Sequence, residues 1–195
     1  MPAAVQPTLM HGKVYRTEDF RRYGQNPTRL AKRLVKEGKL HPLAHGLYLH
    51  PRQSKFGQVP PDDSELMRRF LRNSRFLLSG PDRWNALGLG STSVLPVQLV
   101  YNRKRTGEFT FGGRRFLLRR VRFPTNPAPE YFAVDLLLNH RMAGASLAQL
   151  ERGLVTALRT KVLRPETLRA NAAQYGTKTV QEVVDRAVQA AASEV

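Results

Sequence analysis

The chain contains no cysteine in its 195 residues. Disulfides and zinc–thiolate sites are therefore excluded, and a reducing, cytoplasmic setting is the expectation. No apolar run approaches the roughly 18 residues of a membrane-spanning helix, so no membrane-embedded role is expected. The first residues lack the charged-then-apolar pattern of a signal peptide. No internal repeat and no low-complexity tract is present. Acidic residues are scarce, at 15 Asp and Glu against 32 Lys and Arg, giving a net charge of +17 and a pI near 11.1. Such a charge implies a polyanionic partner: nucleic acid, an acidic protein or a membrane surface.

The shortage of carboxylates also bears on chemistry. A metal-dependent nuclease needs two or three acids converging on its ions. Glu130, Asp135, Glu151 and Asp185 lie in helix-like segments. Asp135 sits inside YFAVDLLL, where a capped or salt-bridged helix residue, paired with a sheet arginine, is the simpler reading. The histidines are His11, His41, His45, His50 and His140; His41 and His45 stand at H-x₃-H spacing, but no H-E-x-x-H arrangement and no cysteine accompanies them, so a metal site is not expected. GPDRWNALGLGS is glycine-rich but lacks the G-K-[ST] ending of a phosphate loop. No catalytic residue, metal ligand or cofactor is assigned, and the protein is not expected to be an enzyme.

What is abundant is positive charge, and it is uneven. Residues 1–75 hold fifteen basic and six acidic residues, and residues 76–130 hold nine and three. Residues 131–195 hold eight and six. Within the first stretch, Thr17 to Pro51 reads as a small DNA-binding unit. Thr17 is a candidate N-cap, with Glu18 and Asp19 where negative charge suits the helix dipole. Gly24 interrupts, and Asn26-Pro27 signals a second helix, which runs to Glu37 and stops at Gly38. KLHPLAHGLYLHP then gives two short extended runs with His45-Gly46 at the turn. Helix, turn, helix, hairpin is the order of a winged helix-turn-helix.

At about 100° per residue, Leu30, Ala31, Leu34 and Val35 fall on one side of the second helix. Arg29, Lys32, Arg33 and Lys36 fall on the other, with Thr28 at the exposed N-terminal end, and no acid joins them before Glu37. This division suits a helix that enters the major groove. Thr28, Arg29, Lys32, Arg33, Lys36, Lys39 and His45 are the expected DNA-binding residues. Lys36 and Lys39 are assigned to phosphates, and Arg29 to a guanine edge.

RLVKEGKLHPLAHGLYLHP resembles the winged-helix end of the AbiEi family of antitoxins and transcriptional regulators. GPDRWNALGLGS is similar to a block in the body of the same family, in the same order along the chain. The resemblance implies the antitoxin of a type IV toxin–antitoxin pair, which represses its own operon. It would counter a nucleotidyltransferase toxin without forming a stable complex with it. The other implied partner is double-stranded DNA, an operator with repeats.

Beyond the hairpin, RQSKFGQVPPDD reads as a linker. The domains expected are 1–58, a winged helix-turn-helix, and 59–195, an α+β regulatory domain. In the second, Ser64 and Glu65 open a helix, FLLS and PVQLVYN are strands, and Gly112-Gly113 joins GEFTF to RRFLLRRVRF in a hairpin. Phe116, Leu118 and Val121 alternate there with Leu117, Arg119 and Arg120. Four helical segments follow from Glu130. The fold class is α+β: an N-terminal winged helix-turn-helix, then a small antiparallel sheet followed by helices. A DNA-binding regulator is the function expected. The alternatives are a metal-dependent nuclease and a basic accessory protein that binds nucleic acid or an acidic partner through the arginine-rich hairpin at 103–122.

Overall fold

A computed structural model describes residues 7–90 and 94–193. In chain order come β1 Val14–Arg16, a 3-10 helix Thr17–Tyr23, α1 Pro27–Lys36, β2 His41–Ala44, β3 Leu47–Leu49, β4 Arg52–Ser54, β5 Gly57–Val59 and α2 Asp63–Phe70. β6 Phe76–Ser79, α3 Pro81–Asn85, β7 Val97–Asn102, β8 Gly107–Phe111 and β9 Arg114–Arg120 follow. Four helices come last: α4 Pro129–Leu138, α5 Leu147–Arg159, α6 Pro165–Tyr175 and α7 Lys178–Ala192. The fold is α+β.

The chain forms two compact units, Met1–Phe76 with Arg103–Leu118, and Leu77–Asn102 with Arg119–Val195. The expected boundary at 58/59 does not coincide with this division. In the first unit, β1, β3 and β2 form an antiparallel sheet in that order, pairing Val14 and His41 with Leu49. The 3-10 helix and α1 supply its cover, through a core of Tyr15, Phe20, Leu30, Ala31, Leu34 and Leu40. The cap of the 3-10 helix is Arg16 rather than Thr17: its backbone N–H donates to Asp19 Oδ2 at 2.9 Å. α1 starts as its sequence dictates. Asn26 Oδ1 accepts from the Arg29 N–H at 2.9 Å, and Pro27 takes the first helical position. Gly38, at φ 71°, ends it, and the N–H groups of Lys39 and Leu40 turn back to the Leu34 carbonyl.

The expected linker is not one. Residues 52–59 form a β4–β5 hairpin, pairing Arg52 with Val59 and Ser54 with Gly57. α2 opens one residue early, at Asp63, because Asp62 Oδ1 caps the Glu65 N–H at 2.9 Å. α2 belongs to the first unit through its ends. Arg16 Nη1 donates to the Arg69 carbonyl at 3.0 Å, and Arg72 pairs with Glu18 at 2.9 Å. The β8–β9 hairpin joins it too: Arg114 meets Asp63 at 2.6 Å, and Phe70 packs edge-on to Phe109 and Phe111. Its turn, Gly112-Gly113, has both φ angles positive, as a type I′ turn needs. The Gly112 N–H donates to the Leu43 carbonyl at 3.1 Å, and a Cβ there would stand 3.0 Å from Leu43 Cδ2.

In the second unit β6 and β7 are neighbouring strands. α4 is buried on every face from Glu130 to Leu137, as its nearly all-apolar sequence requires. α6 packs on α4, and α7 on α5 and α6. Ser146 and Thr177 cap α5 and α7 through the N–H groups three residues on. Gly153 in α5 is obligatory, since a Cβ there would lie 2.4 Å from the Leu89 carbonyl oxygen. Trp84 of α3 is fully buried, as is Leu89, while Leu87 is only half-buried. Val121 departs from the expected alternation: β9 ends at Arg120, and Val121 is exposed.

Candidate nucleic-acid interface

α1 divides sharply by face. Leu30, Ala31 and Leu34 are buried and Val35 packs partly against the same core. Thr28, Arg29, Lys32, Arg33 and Lys36 are all exposed. The structure brings these five together on one helix surface, and Arg29, Lys32, Arg33 and Lys36 border a groove of about 580 Å³ that Tyr23 and Asn26 also line. The Arg22 guanidinium lies over the Tyr23 ring, 4.8 Å from its centroid. Pro27 has no N–H, the Arg29 N–H donates to Asn26 Oδ1 and that of Leu30 to the Asn26 carbonyl, so the first turn of α1 offers an incoming anion at most the Thr28 N–H.

Two expected contact residues lie off the helix. His45 is exposed at the β2–β3 turn, where Gly46 has φ 69°. That turn lies against the 3-10 helix, since the Thr17 N–H donates to the Gly46 carbonyl at 3.1 Å. Lys39 follows α1 and is engaged: its Nζ stands 2.9 Å from Glu37 Oε2, while Arg33 Nε stands 3.6 Å from Oε1. The lysine's hydrogen bond holds the Glu37 carboxyl below its ordinary range. Such exposed pairs are weak and yield to a phosphate. Arg29, Lys32 and Lys36 form no ion pair among the described residues. His11 and His50 stack at 4.4 Å, and their Nδ1 atoms meet the carbonyls of Pro51 and Lys39 at 2.9 and 2.6 Å. A carbonyl only accepts, so both nitrogens carry the proton.

The arginine-rich hairpin is largely engaged within its own unit. Arg114 holds Asp63, Arg115 pairs with Glu108 at 3.3 Å, and Lys104 donates to the Leu71 carbonyl at 3.0 Å. Arg105 lies over the Phe70 ring at 4.7 Å. The partners of Lys104, Arg105 and Arg114, at 71, 70 and 63, are far away in the chain, while that of Arg115 lies in the same hairpin.

Comparison with known proteins adds little. No family model matches the chain, and no curated protein matches it. One solved structure, the RV2827C protein from Mycobacterium tuberculosis, is similar at 18% identity. The match covers 92% of this chain and 72% of that one, with a TM-score of 0.48. A likeness at that score carries neither fold nor function across.

The second unit holds a different kind of polar site. Asp135 is 3% exposed, and four side chains donate to it. Ser79 Oγ and Trp84 Nε1 reach Oδ2 at 2.5 and 2.8 Å. Tyr101 Oη and Asn139 Nδ2 reach Oδ1 at 2.5 and 3.0 Å. Arg119 Nη1 donates to Asn139 Oδ1 at 2.6 Å. The sheet arginine expected beside Asp135 thus acts through Asn139, not by direct pairing. Burial raises the Asp135 pKa, and the donors and Arg119 pull it back only in part. Burial and the Asp135 charge also push the Tyr101 phenol well up. Tyr101, Asp135, Asn139 and Arg119 line a cavity of about 430 Å³ together with Tyr131 and Tyr175. Sequence reading noticed Asp135 but none of its donors, which come from residues 79, 84, 101 and 139. Among the described residues, no three His, Asp or Glu side chains are grouped to hold a metal ion. No helix there is long and apolar enough to cross a membrane.

Proposed function

We propose that the first unit is a winged helix-turn-helix that binds duplex DNA, and that the protein is a transcriptional regulator. The observation that carries this reading is α1: an apolar face anchored in the core, a capped N-terminus, and five exposed positions with four cations and no acid. The order 3-10 helix, α1, β2–β3 supports it, with β1 closing the sheet beside β3. Arg29 is the base-reading residue, Lys32 and Arg33 stand beside it, and Lys36, Lys39 and His45 meet the backbone. The AbiEi resemblance of residues 33–51 and 80–91 extends the proposal to an antitoxin of type IV that represses its own operon. A nuclease finds no support at Asp135, whose two oxygens are filled by four donors. The accessory-protein reading loses weight because Lys104, Arg105, Arg114 and Arg115 of the 103–118 hairpin have partners within their own unit.

The test is a titration of the full chain against labelled duplex at two salt concentrations. Affinity should fall steeply between about 50 and 200 mM salt as neutralised phosphates release counterions. Folded Arg29→Ala and Lys32→Ala proteins that bind a selected site as tightly as wild type would show that α1 does not read it.

A further inference from the structure

The hairpin at residues 52–59 contributes almost nothing to the core of its unit. Every residue of β4 is exposed, as are Gly57 and Gln58, and only Val59 is half-buried. At its tip the Phe56 side chain is wholly in water, with a relative exposure of 101%. The other large exposed hydrophobics among the described residues, such as Met10, Val94 and Val162, keep some cover. Yet the tip is built. Ser54 Oγ donates to the Gly57 carbonyl at 2.9 Å and accepts from the Phe56 N–H at 3.2 Å. Gly57 adopts φ 107°, which suits glycine. A two-stranded hairpin standing alone is marginal in water, so an ordered one that presents a bare ring points to a partner.

The surroundings say which partner. No carboxylate occurs from Gly38 to Pro61, while Lys39, Arg52 and Lys55 do. Arg52 and Lys55 form no ion pair among the described residues. Gln53 and Gln58 face each other across the ribbon. The root of the hairpin is fastened beside the proposed reading helix, because His50, two residues before Arg52, bonds through Nδ1 to the carbonyl of Lys39. Cations for phosphates, amides for base-edge acceptors and an apolar wedge at the tip are the parts used by proteins that enter the minor groove and prise open a base step. A protein partner would meet the same ring, but it gives no reason for a stretch of this length without one acid.

From this arrangement we infer that the β4–β5 hairpin is a second DNA arm, whose Phe56 ring wedges into a minor-groove base step and bends the duplex while α1 occupies the major groove. This rests on the DNA-binding reading above. A pyrimidine–purine step is the expected target, since it unstacks most easily.

The experiment uses the full chain and a duplex of about 30 base pairs, selected from a random pool by the wild-type protein and labelled with a donor and an acceptor at its ends. Wild type should raise energy transfer on binding. Phe56→Ala should still bind, more weakly, and lose the rise in transfer; Phe56→Leu, which keeps an apolar wedge, should retain part of it. A Phe56→Ala protein that bends the duplex like wild type overturns the inference. So does a Phe56→Ala protein that binds and bends normally but elutes as a smaller species, because the ring would then serve self-association. Selection that enriches no duplex at all would sink the DNA-binding reading itself, and the wedge with it. Loss of binding in Arg29→Ala together with unchanged bending by Phe56→Ala would sink the wedge alone.

Discussion

The two units use their polar side chains in opposite ways. The first carries twenty basic and seven acidic residues, the second twelve and eight. In the first, the charges of α1 stand on the surface and the ions that pair do so with one another at the rim. In the second, the defining charge is Asp135, buried and saturated by neutral donors. An exposed cation tunes association with a polyanion and adds little to folding. A buried carboxylate does the reverse. Its donors would each be left without a partner if it were removed.

That contrast can be broken most strongly at Asp135. Asp135→Ala should cost about 3–5 kcal/mol of stability, as orphaned buried donors lose their acceptor. Urea denaturation measures it. A loss under about 1 kcal/mol, the scale of a surface change, would mean that the cluster does not hold the unit together. Asp135→Asn sharpens the point through pH. The folded pKa lies above the ordinary aspartate value, so the native form favours the protonated acid. Its contribution is complete below about pH 4, the unfolded value, and is lost as pH rises through the folded pKa. The advantage of wild type over Asp135→Asn should therefore shrink as pH is raised from about 4. An advantage that grows instead would reverse the assigned shift.

A smaller effect is expected on the first unit's surface. Arg29→Ala should cost about 1–3 kcal/mol on a selected duplex and little on scrambled DNA, with unchanged melting temperature. Equal losses on both duplexes would make Arg29 a phosphate contact. Least of all, Lys36→Ala should weaken both duplexes alike and lower the salt slope by about one unit. Lys39→Ala should lower it less, because Glu37 already holds that ammonium.

Local signals in the sequence were sufficient where the physics is local. Asn26-Pro27, Gly38 and Gly112-Gly113 gave α1 and the β8–β9 turn at the positions where they stand. The division of faces on α1 followed from periodicity alone, and so did the four C-terminal helices. Two features were not legible. The β4–β5 hairpin has no apolar alternation, because neither of its faces meets a core, and its Gly and Pro-Pro look like linker chemistry. The Asp135 cluster is assembled from β6, α3, β7 and α4, so no window of sequence contains it. The cap at Arg16 escaped because a backbone N–H, bonded to Asp19, does the work expected of the Thr17 hydroxyl.

The route of the chain through the two units has a consequence for synthesis. The polypeptide passes from one to the other after Phe76, returns after Asn102 and leaves again after Leu118. The N-terminal unit therefore cannot finish until Arg114 is available to Asp63, and Phe109 and Phe111 to Phe70. On the ribosome, α1 and its small sheet emerge early but wait for a hairpin made some fifty residues after Asp63. Contacts so far apart in sequence slow folding, and during that wait Phe70 lacks its aromatic partners. A chain terminated between residues 71 and 108 would carry the cationic helix yet leave that ring without its aromatic partners.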